Sequence, residues 1–489
     1  MSLLRLQDPQ HHVTLDDYAA VGSLAMPVQE LRRHAQTVAP RFEGRTLWMV
    51  NSTATGGGVA EMLPGIVSLL RELGFRVEWA VIGSEDAEFF RFTKVIHNMI
   101  HGEDDHTIGE EDAQRFEHVN RANAAELRAR MGERDVLIVH DPQPIALGAL
   151  LHDELGIPAI WRCHIGLDRH TTSTRAAWAF LRPWAERYDH AVFSAPEYIP
   201  DYLAGRSTVI HPGIDPLSHK NRELSIDKLV GVLRNAGLVE ASAPARTPPF
   251  AEQPRRLLGD GTWGAVNQPD DLELLFRPIV LQVSRWDRLK GWASLLEGFV
   301  RMRAGAGSGD GAINELGRRT IETARLVLAG PDPASIADDP EGTEVVRELG
   351  DRWLALPPEV RRDIALLALP MSSRKQNALM VNALQRCSTV VVQNSLREGF
   401  GLTVTEAMWK ALPVMGSSAV GIRQQLRDGL EGCLVRCPED PDEVARTLRR
   451  MLADEHARER WAGAAQHRVH REFLVFTQIR QWLEILVTL

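Results

Sequence analysis

Two short stretches carry residue types whose spacing suits chemistry on a phosphate. In "SRWDRLKG" (284–291), Arg285 and Lys290 flank a turn after the apolar run "PIVLQV". Two cations at the carboxyl end of a strand can neutralise a diphosphate, a task that Mg²⁺ performs elsewhere. In "EGFGLTVTE" (398–406), Glu398 and Glu406 stand eight positions apart around Gly399-Phe400-Gly401. On one continuous helix they would be roughly 80° apart at ~100° per residue, but the glycines oppose a continuous helix there. The simpler reading puts Glu398 on a turn after "STVVVQNS" and starts a helix at "LTVTEAMWKAL", with Glu406 in its second turn. The amides near Gly401–Thr403 then form an unpaired helix start that attracts phosphate. Carboxylates on either side of a phosphate accept hydrogen bonds from hydroxyls, and a nucleotide sugar has hydroxyls on both its sugar and its ribose.

Three further stretches lie at strand ends. "NSTATGGGVAEML" (51–63) joins a strand to a helix through Gly56, Gly57 and Gly58, where backbone can approach a ligand. Its spacing is not the GxGxxG dinucleotide fingerprint. "WRCHIG" (161–166) ends in His164, and "VHDPQP" (139–144) adds His140, Asp141 and Gln143. "HGEDDH" (101–106) has neither HExxH nor EF-hand spacing and reads as a solvated loop, so no metal site is expected.

These residues need elements to hold them. The runs at 46–52, "RVEWAVIG", "DVLIVHD", "PAIWRCHI" and "HAVFSAPEY" are continuous and apolar, with helix-length spacers between them. Such strands imply an α/β fold with a parallel sheet covered on both faces. The alternation pauses after "STVIHPGIDPLSHKN" and restarts with "PIVLQVSRWD", "ARLVLAGPD", "STVVVQNS", "PVMGS" and "EGCLVR". That gives two Rossmann-like domains facing a central cleft, 1–215 and 216–467, with a hinge near Pro212–Pro216. Residues 237–277 read as a surface insertion, 303–317 as a loop tip, and "FTQIRQWLEILVTL" as a terminal helix.

The bulk numbers agree with a cytosolic globular protein. The chain has 489 residues, 44% hydrophobic and 25% charged, with a net charge of −9 and no long basic block. Nucleic acid and anionic membrane are therefore not expected partners. Four cysteines without a CxxC pair suit a reducing cytoplasm, and neither a signal peptide nor a membrane span is legible.

Taken together, the stretches resemble the family 4 retaining glycosyltransferases of the GT-B fold. "EGFGLTVTE" matches that family's paired-glutamate motif, and "SRWDRLKG" its Arg/Lys clamp. A narrower likeness runs to the trehalose glycosyltransferring synthases, with the retaining trehalose phosphorylases nearby. "NSTATGGGVAEML", "FTKVIHN", "VHDPQP", "WRCHI", "PEY", "IDPLSHKN", "DDPEG" and "REGFGLTVTEAMWK" carry it. The resemblance implies transfer of glucose from a nucleoside diphosphate glucose, such as UDP- or ADP-glucose, to glucose, giving α,α-trehalose. The alternatives are a phosphorylase acting on trehalose and phosphate, or a family 4 transferase with another sugar acceptor.

By the same resemblance, Arg285 and Lys290 hold the leaving diphosphate. Glu398, Gly399, Phe400 and Gly401 meet the donor sugar, Leu402 and Thr403 take a phosphate, and Glu406 binds ribose. His164 sits beside the transferred sugar, and Gly57 and Gly58 approach the donor. His97, Asp141, Gln143 and Asp168 are the acceptor-side candidates. The first domain serves the acceptor and the second the donor, and the last helix, about 468–489, crosses back to the first. No tightly bound cofactor or metal is implied, and a homodimer is compatible. One departure stands out: the family pattern has Asp after "RCHI", whereas here Gly166 occupies that place and Asp168 lies two positions on.

Overall fold

The computed structural model describes every residue except 1–2, 10–12, 55–57, 103–105, 241–247, 269, 306–312 and 336–339. The chain divides into two compact units, Met1–Asp215 with Glu472–Leu489, and Pro216–Arg471.

The first unit contains β1 (Arg5–Gln7), β2 (Thr46–Asn51), β3 (Arg76–Val81), β4 (Val136–His140), β5 (Ala159–Cys163), β6 (His190–Phe193) and β7 (Ser207–Val209). They form one sheet in the order β1-β3-β2-β4-β5-β6-β7. Every residue of β2, β4 and β5 is buried, which is why their sequences are apolar without alternation. The sheet is not wholly parallel, because β1 runs antiparallel to β3 at the edge. Neither β1 nor β7 is apolar enough to stand out in the sequence, and none of their residues is fully buried. The terminal helix Val475–Val487 belongs to this unit. Its start is pinned by the exchange Ile214 N to Phe473 O (2.8 Å) and Val475 N to Ile214 O (3.0 Å). Phe476 packs edge-on against Tyr18, with ring centroids 5.0 Å apart.

The second unit contains β8 (Arg255–Leu257), β9 (Trp263–Ala265), β10 (Ile279–Val283), β11 (Arg325–Pro331), β12 (Ile364–Leu369), β13 (Val390–Gln393), β14 (Val414–Ser417) and β15 (Gly432–Val435). Its sheet order is β15-β14-β13-β10-β11-β12-β8-β9. Successive strand residues face opposite cores. Val280, Leu326, Leu328, Leu366 and Val392 join one apolar cluster, and Ile279, Leu281, Val327, Ala329 and Leu367 join the other.

Two expectations change here. Residues 237–277 are not simply a surface insertion. β8 and β9 extend the sheet antiparallel beyond β12, and Leu257, Val266, Leu272 and Leu274 are buried. Polar flanks hide this, since a three-residue edge strand has too few apolar positions to announce itself. β12 also lies outside the expected strands, because "IALLAL" is short, lacks β-branched residues after Ile364 and has no strand-specific period. Part of the insertion (241–247), the middle of the glycine-rich stretch at 303–317 (306–312), Gly56, Gly57 and positions 103–105 lie outside the described residues. Among the described residues, no helix is long and apolar enough to cross a membrane.

Each sheet has a point where its order reverses. In the second unit β10 has β11 on one side and β13 on the other, and in the first β2 lies between β3 and β4. Loops leaving the carboxyl ends at such a point diverge and open a crevice. The loops after β10, β13, β2 and β4 carry many of the candidate residues, while His164 and Asp168 follow β5 and His97 lies in the helix Ala87–Ile100.

Candidate active site

In the second unit the two candidate stretches are brought into direct contact. β10 and β13 are parallel neighbours, so the loops that follow them lie side by side. Lys290 Nζ donates to Glu398 Oε2 at 2.8 Å, with only 12% and 14% of the two side chains exposed. Ser395 Oγ donates to the same oxygen at 2.8 Å, and Gln393 Nε2 at 3.3 Å. Burial pushes the Glu398 carboxyl up. Lys290's charge and hydrogen bond, the Ser395 hydroxyl and the Arg285 charge outweigh it, so the group is held below the usual carboxylate range.

Amide side chains clamp the two loops together. Gln282 Nε2 donates to Lys290 O (2.8 Å), and Gln282 Oε1 accepts from Asn394 N (2.9 Å). Asn394 Nδ2 donates to Gly291 O (3.2 Å), Ser294 Oγ (3.0 Å) and Pro438 O (2.9 Å). Sequence reasoning misses Gln282, Gln393, Asn394 and Ser395. The available signal is a polar residue closing an apolar strand run, as in "VLQVS" and "VVVQNS". Arg285 differs from Lys290: its side chain is 71% exposed and its carboxylate neighbour is Asp287, at 3.7 Å.

The glycine turn begins a helix as the sequence implies. Gly401 has φ +82°, a left-handed value that suits glycine, and precedes the helix Leu402–Trp409 with no side chain capping it. Phe400 is buried. Gln425, also missed by sequence reasoning, holds the turn from below by donating to the carbonyls of Phe400, Gly401 (3.3 Å) and Gly421 (3.0 Å). The amides of Leu402 and Thr403 therefore lie in the first turn of a helix that no side chain caps, a position suited to an anion. Glu406 is buried one turn on, 3.6 Å from Lys220 Nζ. Lys410 Nζ donates to Glu406 O (3.0 Å) and Asn221 Oδ1 (3.2 Å).

In the first unit, His164 and Asp141 meet. Asp141 Oδ1 accepts from His164 N at 2.9 Å, and Asp141 itself has φ +66°. Burial pushes its carboxyl up to about 6, against lowering by the His164 amide and the Arg162 charge. A carboxyl whose folded value lies above its unfolded one binds its proton more tightly when folded. Stability therefore falls as pH rises from about 4 through about 6. Asp141→Asn keeps the acceptor oxygen and tolerates positive φ better. It is expected to raise stability at pH 7.5 by on the order of 2 kcal/mol, and the part due to ionisation should vanish at pH 4 in paired urea titrations, leaving only the smaller backbone contribution.

The remaining candidates are more dispersed. Gly58 is exposed at the start of the helix Gly58–Glu72, and Gly57 lies outside the described residues. Gln143 follows Asp141, and its carbonyl accepts from Asn120 Nδ2 at 3.1 Å. His97 is half-buried with its ring against His101, at 4.9 Å between centroids, while Asp168 is exposed in the loop after β5. The glycine at 166 has a physical cause. A Cβ there would lie 2.3 Å from Cγ of Tyr198, so the ring fills the space an aspartate would need. Among the described residues, no group of three or more His, Cys, Asp or Glu is placed to hold a metal.

Residues 49–200 match the family described as trehalose synthase, N-terminal domain, and residues 371–468 match glycosyl transferases group 1. A trehalose synthase from Pyrococcus horikoshii is 33% identical over 97% of this chain and 96% of its own length. The chain belongs to the trehalose synthase family. A second member, from Rubrobacter xylanophilus, is 32% identical over 98% of this chain and 97% of its own. Among solved structures, an alpha,alpha-trehalose-phosphate synthase (UDP-forming) from Burkholderia vietnamiensis superposes with a TM-score of 0.65. It is 17% identical and covers 91% of this chain and 99% of its own. The family's fold is therefore GT-B, and this member is a trehalose-related glycosyltransferase.

Proposed function

We propose that this glycosyltransferase moves glucose from a nucleoside diphosphate glucose to glucose, forming and reversibly cleaving α,α-trehalose with retention of configuration. The observation that carries this reading is the Lys290–Glu398 pair beside the uncapped helix start at Gly401, at the reversal point of the second sheet. A cation and first-turn amides suit a diphosphate, and a mostly buried carboxylate next to them suits sugar hydroxyls.

Arg285 and Lys290 neutralise the leaving diphosphate, while Leu402 and Thr403 take a phosphate oxygen on their amides. Glu398, with Gly399, Phe400 and Gly401, fixes the donor sugar, and Glu406 accepts from the ribose. The C1–O bond to the diphosphate breaks with its electron pair going to the diphosphate oxygen. The acceptor oxygen bonds to C1 from the same face, and its proton passes to that diphosphate oxygen. Electrostatic preorganisation is then the main catalytic contribution, and no metal or tightly bound cofactor is needed. In the first unit, His164 serves the transferred sugar, Gly57 and Gly58 the donor, and Asp141, Gln143, His97 and Asp168 the acceptor.

Two parallel reactions test this. UDP-, ADP- or GDP-glucose with glucose should yield nucleoside diphosphate and α,α-trehalose, which also names the base. Trehalose with inorganic phosphate alone should yield nothing. Glucose 1-phosphate from that second reaction, with none of the first product, would overturn the reading in favour of a phosphorylase.

A further inference from the structure

β4 ends on His140 and β5 is followed directly by His164, and the two side chains touch. His140 Nδ1 and His164 Nε2 are 3.2 Å apart, and the rings lie within 13° of parallel. A hydrogen bond between two neutral imidazoles allows two arrangements, and the outer nitrogens decide between them. Those nitrogens, His140 Nε2 and His164 Nδ1, are buried without a partner among the described residues, as is Arg162 Nε. Arg162 is wholly buried, its other nitrogens donating to Phe193 O (2.8 Å), Ile210 O (2.7 Å) and Ser194 Oγ (3.3 Å). His140, His164, Arg162 and Gln478 supply the polar lining of one small cavity, about 10 Å³ of space for a water centre, with Met49 and Trp482 among its apolar lining.

We propose that this cavity binds one water that links Arg162 to His140, and that His140 is thereby a positioning residue that fixes the tautomer of His164. Water-sized polar cavities with two or more partners are occupied in folded proteins. The water accepts from Arg162 Nε–H and donates to His140 Nε2. The guanidinium charge favours a lone pair over an N–H on the imidazole edge nearest to it. His140 then carries its proton on Nδ1 and donates it to His164 Nε2, which leaves His164 with its proton on Nδ1. His164 is thus held neutral in one orientation, and each link of Arg162–water–His140–His164 pairs one donor with one acceptor. The His164 Nδ1–H is the donor left over for a sugar oxygen. No proton is transferred along it. The functional part rests on the reading that His164 serves the transferred sugar.

The test uses the full-length enzyme with ¹⁵N-labelled histidine, its resonances assigned by the His140→Phe and His164→Asn variants. Long-range ¹H–¹⁵N correlation should show both rings neutral with the proton on Nδ1 from pH 5.5 to 8. Proton on Nε2 of His164, or titration of either ring in that range, overturns the arrangement whether or not the enzyme makes trehalose. His140→Phe is expected to lower kcat about tenfold to a hundredfold, the usual scale for an orienting partner, with KM little changed. His140→Asn, whose amide can still donate to His164 Nε2, should recover most of that loss. An equal loss in both variants, each with an unchanged melting temperature, overturns the positioning role, as does full kcat in His140→Phe.

Discussion

Lys290→Ala is expected to lower kcat by about 10²–10³, the cost of removing one preorganised charge that stabilises a leaving group. Arg285 is a poor substitute, because its side chain is 71% exposed and water screens it, whereas Lys290 is 12% exposed. KM for the sugar nucleotide should change less than kcat, because the charge on the leaving oxygen is greatest in the transition state. The same substitution removes the cation from a mostly buried carboxylate, leaving it the Ser395 and Gln393 donors. Removing one partner of such a pair typically costs about 3–5 kcal/mol, so guanidinium titration should show a large destabilisation at neutral pH. The sign with pH is fixed by Glu398, whose folded value is held low. The pair's contribution is present above the unfolded carboxylate range and is lost as pH falls through the folded value. The gap between wild type and variant should therefore narrow in acid. A Lys290→Ala enzyme with wild-type kcat would remove this residue from the mechanism.

Gly291→Ala should be almost as damaging, although it touches no charge. Gly291 has φ +62°, and a Cβ there would lie 2.1 Å from the carbonyl oxygen of Asn394. Neither atom can yield cheaply, because both belong to backbone that Gln282 and Asn394 tie together. Left-handed strain and overpacking together should cost about 2–4 kcal/mol. Relieving the clash moves the Lys290 loop away from the Glu398 loop, and a 1 Å misplacement can cost about 10² in rate. Urea denaturation and kcat measured on one preparation check both. The control is Gly463→Ala, on an exposed helix position with nothing within 4 Å of the added carbon. Wild-type stability and turnover in Gly291→Ala would show that the two loops are not rigidly coupled.

The sequence by itself determined the parts of this protein whose signal is local. Continuous apolar runs marked the buried strands β2, β4, β5, β10, β11 and β13, because both faces of each sheet are covered. Gly399 to Gly401 before an apolar helix marked the helix start, because a left-handed residue without a side chain must precede it. Arg285, Lys290, Glu398 and Glu406 stood out as candidates because they cluster just after two apolar strand runs, and the fold brings Lys290 and Glu398 into contact.

The tertiary structure alone decided what those residues touch. Lys290 and Glu398 are 108 positions apart, and their contact depends on β10 and β13 being neighbours at the point where the sheet order reverses. The roles of Gln282, Asn394 and Gln425 are likewise invisible beforehand. An amide in a strand or loop looks the same whether it faces water or clamps a backbone carbonyl from another loop. Gly166 became intelligible only once Tyr198 was placed over it, and the His140–His164 contact only once β4 and β5 were paired. The physical reason is common to all of these. Burial along one strand is written in that strand's own composition, whereas a hydrogen bond between distant loops is set by the packing of everything between them.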